Sequence, residues 1–256
     1  MINYINYDKA MGSIENTKLI VFDKGGTLSK PVKGGPEHGI PNYKKIMKIL
    51  GVEGDPAAFG KIIAARDKNY KSWALESNIE LSEEMRCTSF LFPEYPQDLV
   101  EANAEELTLL FSHSKGVREL REEAVPVIQR LHSLGYKIGV ISNTVSRVLV
   151  PGELEEAGLD KYVDVLVMSS ITNIRKPAPL MFTQAAKKVD VAPNRCIYVG
   201  DQPNRDVEGP RRAGYGFNII LKTSNYPKDP LPEIQQPDIT IDSLNELTEL
   251  FGKCNL

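Results

Sequence analysis

The sequence predicts an α/β fold, a doubly wound parallel sheet with a helical segment inserted into it. Three observations carry this reading. Short apolar runs bounded by turn residues recur at 18–22, 137–141, 163–168, 195–199 and 217–221, as expected of strands buried on both faces. The later runs alternate with helical stretches that stop at Gly135, Gly158 and Gly214, and strand–helix alternation implies a parallel sheet. Between 40 and 116 the strand signal is missing, and four helical stretches, 43–50, 56–75, 82–92 and 97–111, take its place.

Taken in order, residues 1–17 read as a polar extension. Leu19-Ile20-Val21-Phe22 is the first strand and Asp23 ends it; Gly25 and Gly26 then allow a tight turn. Residues 29–41 hold several Pro and Gly breaks and read as a linker. Within the insert, Ile62, Ile63, Arg66, Tyr70, Trp73 and Ala74 recur at helical spacing, a stripe best explained as the insert's own core. Pro93 and Pro96 separate its last two helices. A helix at 123–134 leads to a strand at 137–141 that ends in Ser142-Asn143-Thr144. A helical stretch at 148–157, a strand at 163–168 and Arg175-Lys176-Pro177 follow. Next come a helix at 179–189 and a strand at 195–199 that runs into Gly200-Asp201. A short helix at 207–213, a strand at 217–221 and a sixth at 239–241 complete the pattern. The expected division is an extension over 1–17, an α/β core over 18–33 and 117–256, and a helical domain over 34–116.

The chain has 256 residues, 41% hydrophobic and 25% charged, with a net charge of −3. That composition is ordinary for a globular protein and argues against nucleic acid as the main ligand. No apolar run approaches the roughly 20 residues of a membrane span, and the first residues lack a signal-peptide core. Cys87, Cys196 and Cys254 are odd in number and not in metal spacing, so a reducing cytoplasm is the expected home.

Ligands of doubly wound sheets sit beyond the carboxyl ends of the strands. Asp23, Ser142, Lys176 and Asp201 all fall there. Asp201 and Asp206 share one loop, GDQPNRD, and with Asp23 they make an oxygen-rich set suited to Mg²⁺. Each residue alone has a plainer reading: an Asx turn for Asp23, a helix N-cap for Ser142, a surface lysine for Lys176, a solvated turn for the two acids. Their succession at strand ends favours the site.

This order of motifs resembles the haloacid dehalogenase superfamily, in its phosphatase-like branch with an inserted helical cap of the first type. The residues that carry the resemblance are Asp23-Lys24-Gly25-Gly26-Thr27, Ser142-Asn143, Lys176, and Gly200-Asp201 with Asp206. It implies a Rossmann-like core and Asp23 as the nucleophile that becomes an aspartyl-phosphate. It places Thr27, Ser142, Asn143 and Lys176 on the phosphoryl oxygens. Asp23, the Gly25 carbonyl, Asp201 and Asp206 would hold Mg²⁺. The implied activity is hydrolysis of a small phosphorylated metabolite. Gly25 departs from the pattern, because the family's phosphatases carry there an aspartate that serves as general acid and base, a contribution of roughly 10²–10⁴ in rate. Two alternatives follow: a phosphate-binding regulatory protein without turnover, and a hydrolase of C–P or C–halogen bonds. Ser142-Asn143 fits the halocarboxylic acid dehalogenases, whereas Asp201 does not. Lys61, Lys68 and Lys71 of the insert read as surface charge.

Overall fold

The computed structural model describes residues 12–32, 36–116 and 118–252. Six parallel strands form the main sheet: β1 (Leu19–Asp23), β4 (Lys137–Ser142), β5 (Val165–Met168), β6 (Cys196–Gly200), β7 (Phe217–Leu221) and β8 (Ile239–Ile241). Their order is β5-β4-β1-β6-β7-β8. β1 therefore lies between β4 and β6, with Phe22 opposite Val140 on one side and Val199 on the other. The strand order reverses at β1, so the crevice of a doubly wound sheet opens at its carboxyl end.

Burial on both faces explains the unbroken apolar runs. Ile20 and Phe22 join a core with Val127, Ile128, Leu131, Leu247 and Phe251, from the helices Ala124–Ser133 and Asn245–Gly252. Leu19 and Val21 point the other way, to Met181, Phe182 and Ala185 of the helix Pro179–Lys188.

The insert folds as a helical layer. Its main helices are Ile40–Leu50, Pro56–Ser77, Gln97–Ala102 and Ala104–Ser114, and a short helix, Glu83–Arg86, runs on into a wider π turn, Cys87–Leu91. The layer has its own core, which includes Ile46, Phe59, Ile63, Leu91, Leu107 and Phe111. Asp55 starts the longest helix by accepting the N–H groups of Ala57 and Ala58.

The buried stripe of that helix differs from the expected one. Ile62 is exposed, and the buried face runs Phe59, Ile63, Asp67, Tyr70 and Ala74. A charged residue sits at the centre because cations meet it: Asp67 lies 2.6 Å from Arg86, 2.9 Å from Lys115 and 3.0 Å from Lys71. An apolar-only pattern cannot register such a position.

Other expectations shift in smaller ways. The linker at 29–41 contains β2 (Ser29–Pro31), which pairs antiparallel with β3 (Arg118–Leu120). Strands of three residues are too short to show a period. The short helix expected at 207–213 is two helices, Pro203–Asp206 and Glu208–Arg212. Ile14, expected in a polar extension, is buried in the core beside β1. The rest of that extension (1–11), Cys254, and the positions 33–35 and 117, where the domain boundaries were expected, lie outside the described residues. Among the described residues no helix is long and apolar enough to cross a membrane.

Candidate active site

The site is built on the end of β1. Asp23 closes the strand, and the turn after it folds back so that the N–H groups of Leu28 and Ser29 donate to the Lys24 carbonyl. Thr27 is buried in this turn, its hydroxyl 3.4 Å from Asp23 Oδ2. The two glycines have separate reasons. Gly26 has φ +115°, and a Cβ there would lie 2.2 Å from Asp201 Oδ2. Gly25 lies outside the left-handed region, and a Cβ would meet only Arg118 Nη2, at 3.9 Å.

Lys176 comes from the loop after β5 and passes beneath the strand ends. Its Nζ donates to Asp23 Oδ1 at 2.6 Å, to Asp206 Oδ1 at 2.8 Å and to the Tyr198 hydroxyl at 2.8 Å. The ammonium is fully buried, which removes the surface-lysine reading. Asn143 holds the lysine's backbone: Asn143 Nδ2 donates to the Lys176 carbonyl and the Lys176 N–H donates to Asn143 Oδ1. Both ends of the amide are thereby engaged. Ser142 ends β4 and lines a cavity with Asp23, Gly25 and Asn143. It is not a helix N-cap, since the next helix begins at Leu149.

Asp206 Oδ2 accepts the N–H groups of Asp201 and Gln202, which fixes the loop after β6. Asp201 is buried as well, and its Oδ1 has no hydrogen-bond partner among the described residues. Asp23, Asp201 and Asp206 each offer an oxygen, and these oxygens lie within 4.8 Å of one another.

The charges do not balance. Burial and the neighbouring carboxylates of Asp23 and Asp206 push Asp201 up to about 7. Burial also raises Asp23, against the pull of Lys176. Burial works the same way on Asp206, but Lys176, Arg205 and the bonds to Lys176 and Gln202 outweigh it and hold that carboxyl below its usual range. An oxygen-only donor set with excess negative charge and an orphaned buried oxygen fits Mg²⁺; among the described residues no His or Cys joins the cluster, as zinc would favour.

The site also includes three residues that the sequence reading did not single out. Tyr198 on β6 and Arg118 on β3 reach it only through the sheet and the β2–β3 pair, and neither carries a local signal. Arg205 lies beside Asp206, and its guanidinium feels Asp206, Asp23 and Asp201; its place inside GDQPNRD was the available clue. Above the site, Lys71 and Leu75 of the helical layer share a cavity of ≈ 420 Å³ with Asp23, Ser142 and Gln202.

A family model for haloacid dehalogenase-like hydrolases matches residues 17–214. Phosphoglycolate phosphatase of Salmonella typhimurium is 23% identical over 265 residues, covering 94% of this chain and 95% of that protein. Glyceraldehyde 3-phosphate phosphatase of Methanopyrus kandleri is 27% identical over 128 residues, 50% of this chain and 54% of that protein, so this match spans about half of that relative's length. A solved 2-haloacid dehalogenase from Pseudomonas syringae pv. Tomato DC3000 has the same fold, with a TM-score of 0.66 at 20% identity over 93% of this chain and 99% of that one.

Two tests follow from this geometry. Gly26→Ala should destabilise the fold by roughly 1–3 kcal/mol, while Gly25→Ala should stay within about 0.5 kcal/mol of the parent in urea unfolding; equal costs would contradict the turn described. The second concerns protons. An acid at about 7 in the folded chain against an ordinary 3.8 holds its proton more tightly when folded. The stability this gives is complete below the ordinary value and is lost as pH rises through about 7. A cation bound by Asp201 must displace that proton. The rise in Tm on adding Mg²⁺ should therefore be larger at about pH 8 than at about pH 5.5, and a rise independent of pH would contradict the coupling.

Proposed function

The chain belongs to the haloacid dehalogenase-like hydrolases, and from that premise we propose that it acts on a small phosphorylated metabolite as a Mg²⁺-dependent phosphate-ester hydrolase with Asp23 as nucleophile. The single observation that carries this reading is the fully buried Lys176 ammonium, shared by Asp23 and Asp206 beside Asp201, whose Oδ1 has no hydrogen-bond partner among the described residues. The names of the two relatives above, both phosphatases, support the substrate class. A protein of the same superfamily from Bacillus subtilis, solved bound to magnesium, shares the fold at a TM-score of 0.57 and 16% identity.

Asp23, Asp201 and Asp206 would hold the cation, with the Gly25 carbonyl as a further ligand; when bound, it supplies positive charge against the phosphoryl oxygens. The protein's own residues do the rest. Lys176 opposes the upward pull of burial on the Asp23 carboxyl and aims one of its oxygens. Asp23 attacks phosphorus, the bond to the leaving oxygen breaks, and an aspartyl-phosphate forms. The Ser142 and Thr27 hydroxyls are available to the phosphoryl oxygens, while Asn143 and Tyr198 act by placing Lys176. Residues 34–116 then serve as a cap over the strand ends, excluding water from the attack.

Gly25 sets the limit. No side chain at this position protonates the leaving oxygen or activates water on the aspartyl-phosphate. This favours one second reading, a phosphoryl-accepting protein whose aspartyl-phosphate is released slowly. Lys61 and Lys68 lie exposed, as the surface-charge reading expects. Because a Cβ fits at Gly25, the missing acid can be restored. Gly25→Asp should raise turnover of an alkyl phosphate by roughly 10²–10⁴, with a smaller gain on an aryl phosphate, whose leaving group needs no proton. A folded variant with no gain on either ester would remove Gly25 from the acid–base position.

A further inference from the structure

A second cavity, of ≈ 640 Å³, lies between the helical layer and the core. Lys71, Arg118 and Asn143 line both it and the cavity that holds Asp23, so the two adjoin. Five cationic side chains line the second cavity, Lys71, Arg86, Lys115, Arg118 and Arg175, against three acids, Asp67, Glu153 and Glu156. Lys71, Arg86 and Lys115 all gather on a single carboxylate, Asp67. Arg86 is 1% exposed, and its Nε and Nη1 have no hydrogen-bond partner among the described residues. Arg118 is held only by Ser29, through its hydroxyl and its carbonyl, with no ion-pair partner among the described residues. Arg175, on the same wall, is neutralised by Glu80. Of the acids that line the cavity besides Asp67, Glu153 is paired with Lys24 and Glu156 is exposed.

Asp67 is the counter-charge of buried Arg86, whose guanidinium also lies 5.3 Å from the Tyr70 ring centroid and 5.5 Å from that of Phe111. Lys71 and Lys115 add two further cations to that one acid, and both are solvent-accessible at the cavity wall. Burial pushes the Lys115 ammonium down to about 8; Asp67 opposes this, while Arg86 and Lys71 add to it. An anion in the cavity would relieve the excess.

We propose that this cavity binds a second anionic group of the substrate, so that the ester hydrolysed is one whose displaced alcohol carries a carboxylate or a further phosphate. Lys71, Lys115 and Arg118 receive that group, and Arg86 supports them from beneath. The proposal rests on the phosphoryl-site reading above and gives it a specificity.

The test uses four ligands on one two-carbon frame, titrated into the Mg²⁺-loaded protein by calorimetry: phosphoglycolate, ethylene glycol bisphosphate, 2-hydroxyethyl phosphate and phosphoethanolamine. Inorganic phosphate reports on the phosphoryl site alone. At least one of the two anionic compounds should bind about tenfold or more tightly than the hydroxyl compound, with the ammonium compound weakest. Which anion leads identifies the second group. Lys71 is more than half exposed, so Lys71→Glu should fold normally and bring the anion-to-hydroxyl ratio toward one. Equal affinities for all four esters, with inorganic phosphate still binding, would overturn the second subsite and leave the phosphoryl site standing. Failure of inorganic phosphate to bind would overturn both.

Discussion

The structure depends on one ammonium group. Lys176 Nζ sits out of water between Asp23 and Asp206, within 2.8 Å of each, and its remaining proton goes to the Tyr198 hydroxyl. These partners come from three places in the sequence: the end of β1, β6, and the short helix beyond β6. A buried charge with this arrangement is fully satisfied. It also sets a positive charge against the burial of the Asp23 carboxyl at the end of a fully buried strand. Asp201 is the remaining member and has nothing comparable. The same geometry that settles two acids leaves the third as an unfilled demand for positive charge.

The loop that carries Lys176 is also where the helical layer is fastened. Asn78–Glu80 bonds to 173–175 through the Glu80 N–H to the Asn173 carbonyl and the Arg175 N–H to the Asn78 carbonyl. Glu80, buried, collects Tyr70, Ser169 and Arg175. A second tie joins Arg147, in the loop after β4, to Glu83 and Glu84 of the layer. The layer is thus anchored next to the lysine that orients Asp23, and a shift of the layer would be felt there.

Much of this was legible in the sequence because burial leaves a compositional trace. The strands of a sheet covered on both faces read as apolar runs, and Asp23, Ser142 and Asp201 stood out at their ends, with Lys176 in the connection after the third run. What could not be read was anything fixed by pairing across the chain. Asp67 looks like a solvent-facing acid until Arg86 and Lys115 are brought to it. Tyr198 looks like one more core residue until Lys176 reaches its hydroxyl. β2 and β3 are three residues each and exist only as a pair. Gly25 is the opposite case, its significance plain from position alone, while the open space beside it needed the structure.

The chemistry proposed for this site begins with Asp23 accepting a phosphoryl group. The most direct measurement is to incubate the protein with acetyl phosphate and Mg²⁺, quench in acid, and map the modified peptide by mass spectrometry. One phosphoryl group is expected, on Asp23, dependent on Mg²⁺ and persisting after the donor is removed because no base stands at Gly25. A folded protein that stays unmodified at Asp23 under these conditions, or takes the phosphoryl group elsewhere, would contradict this chemistry.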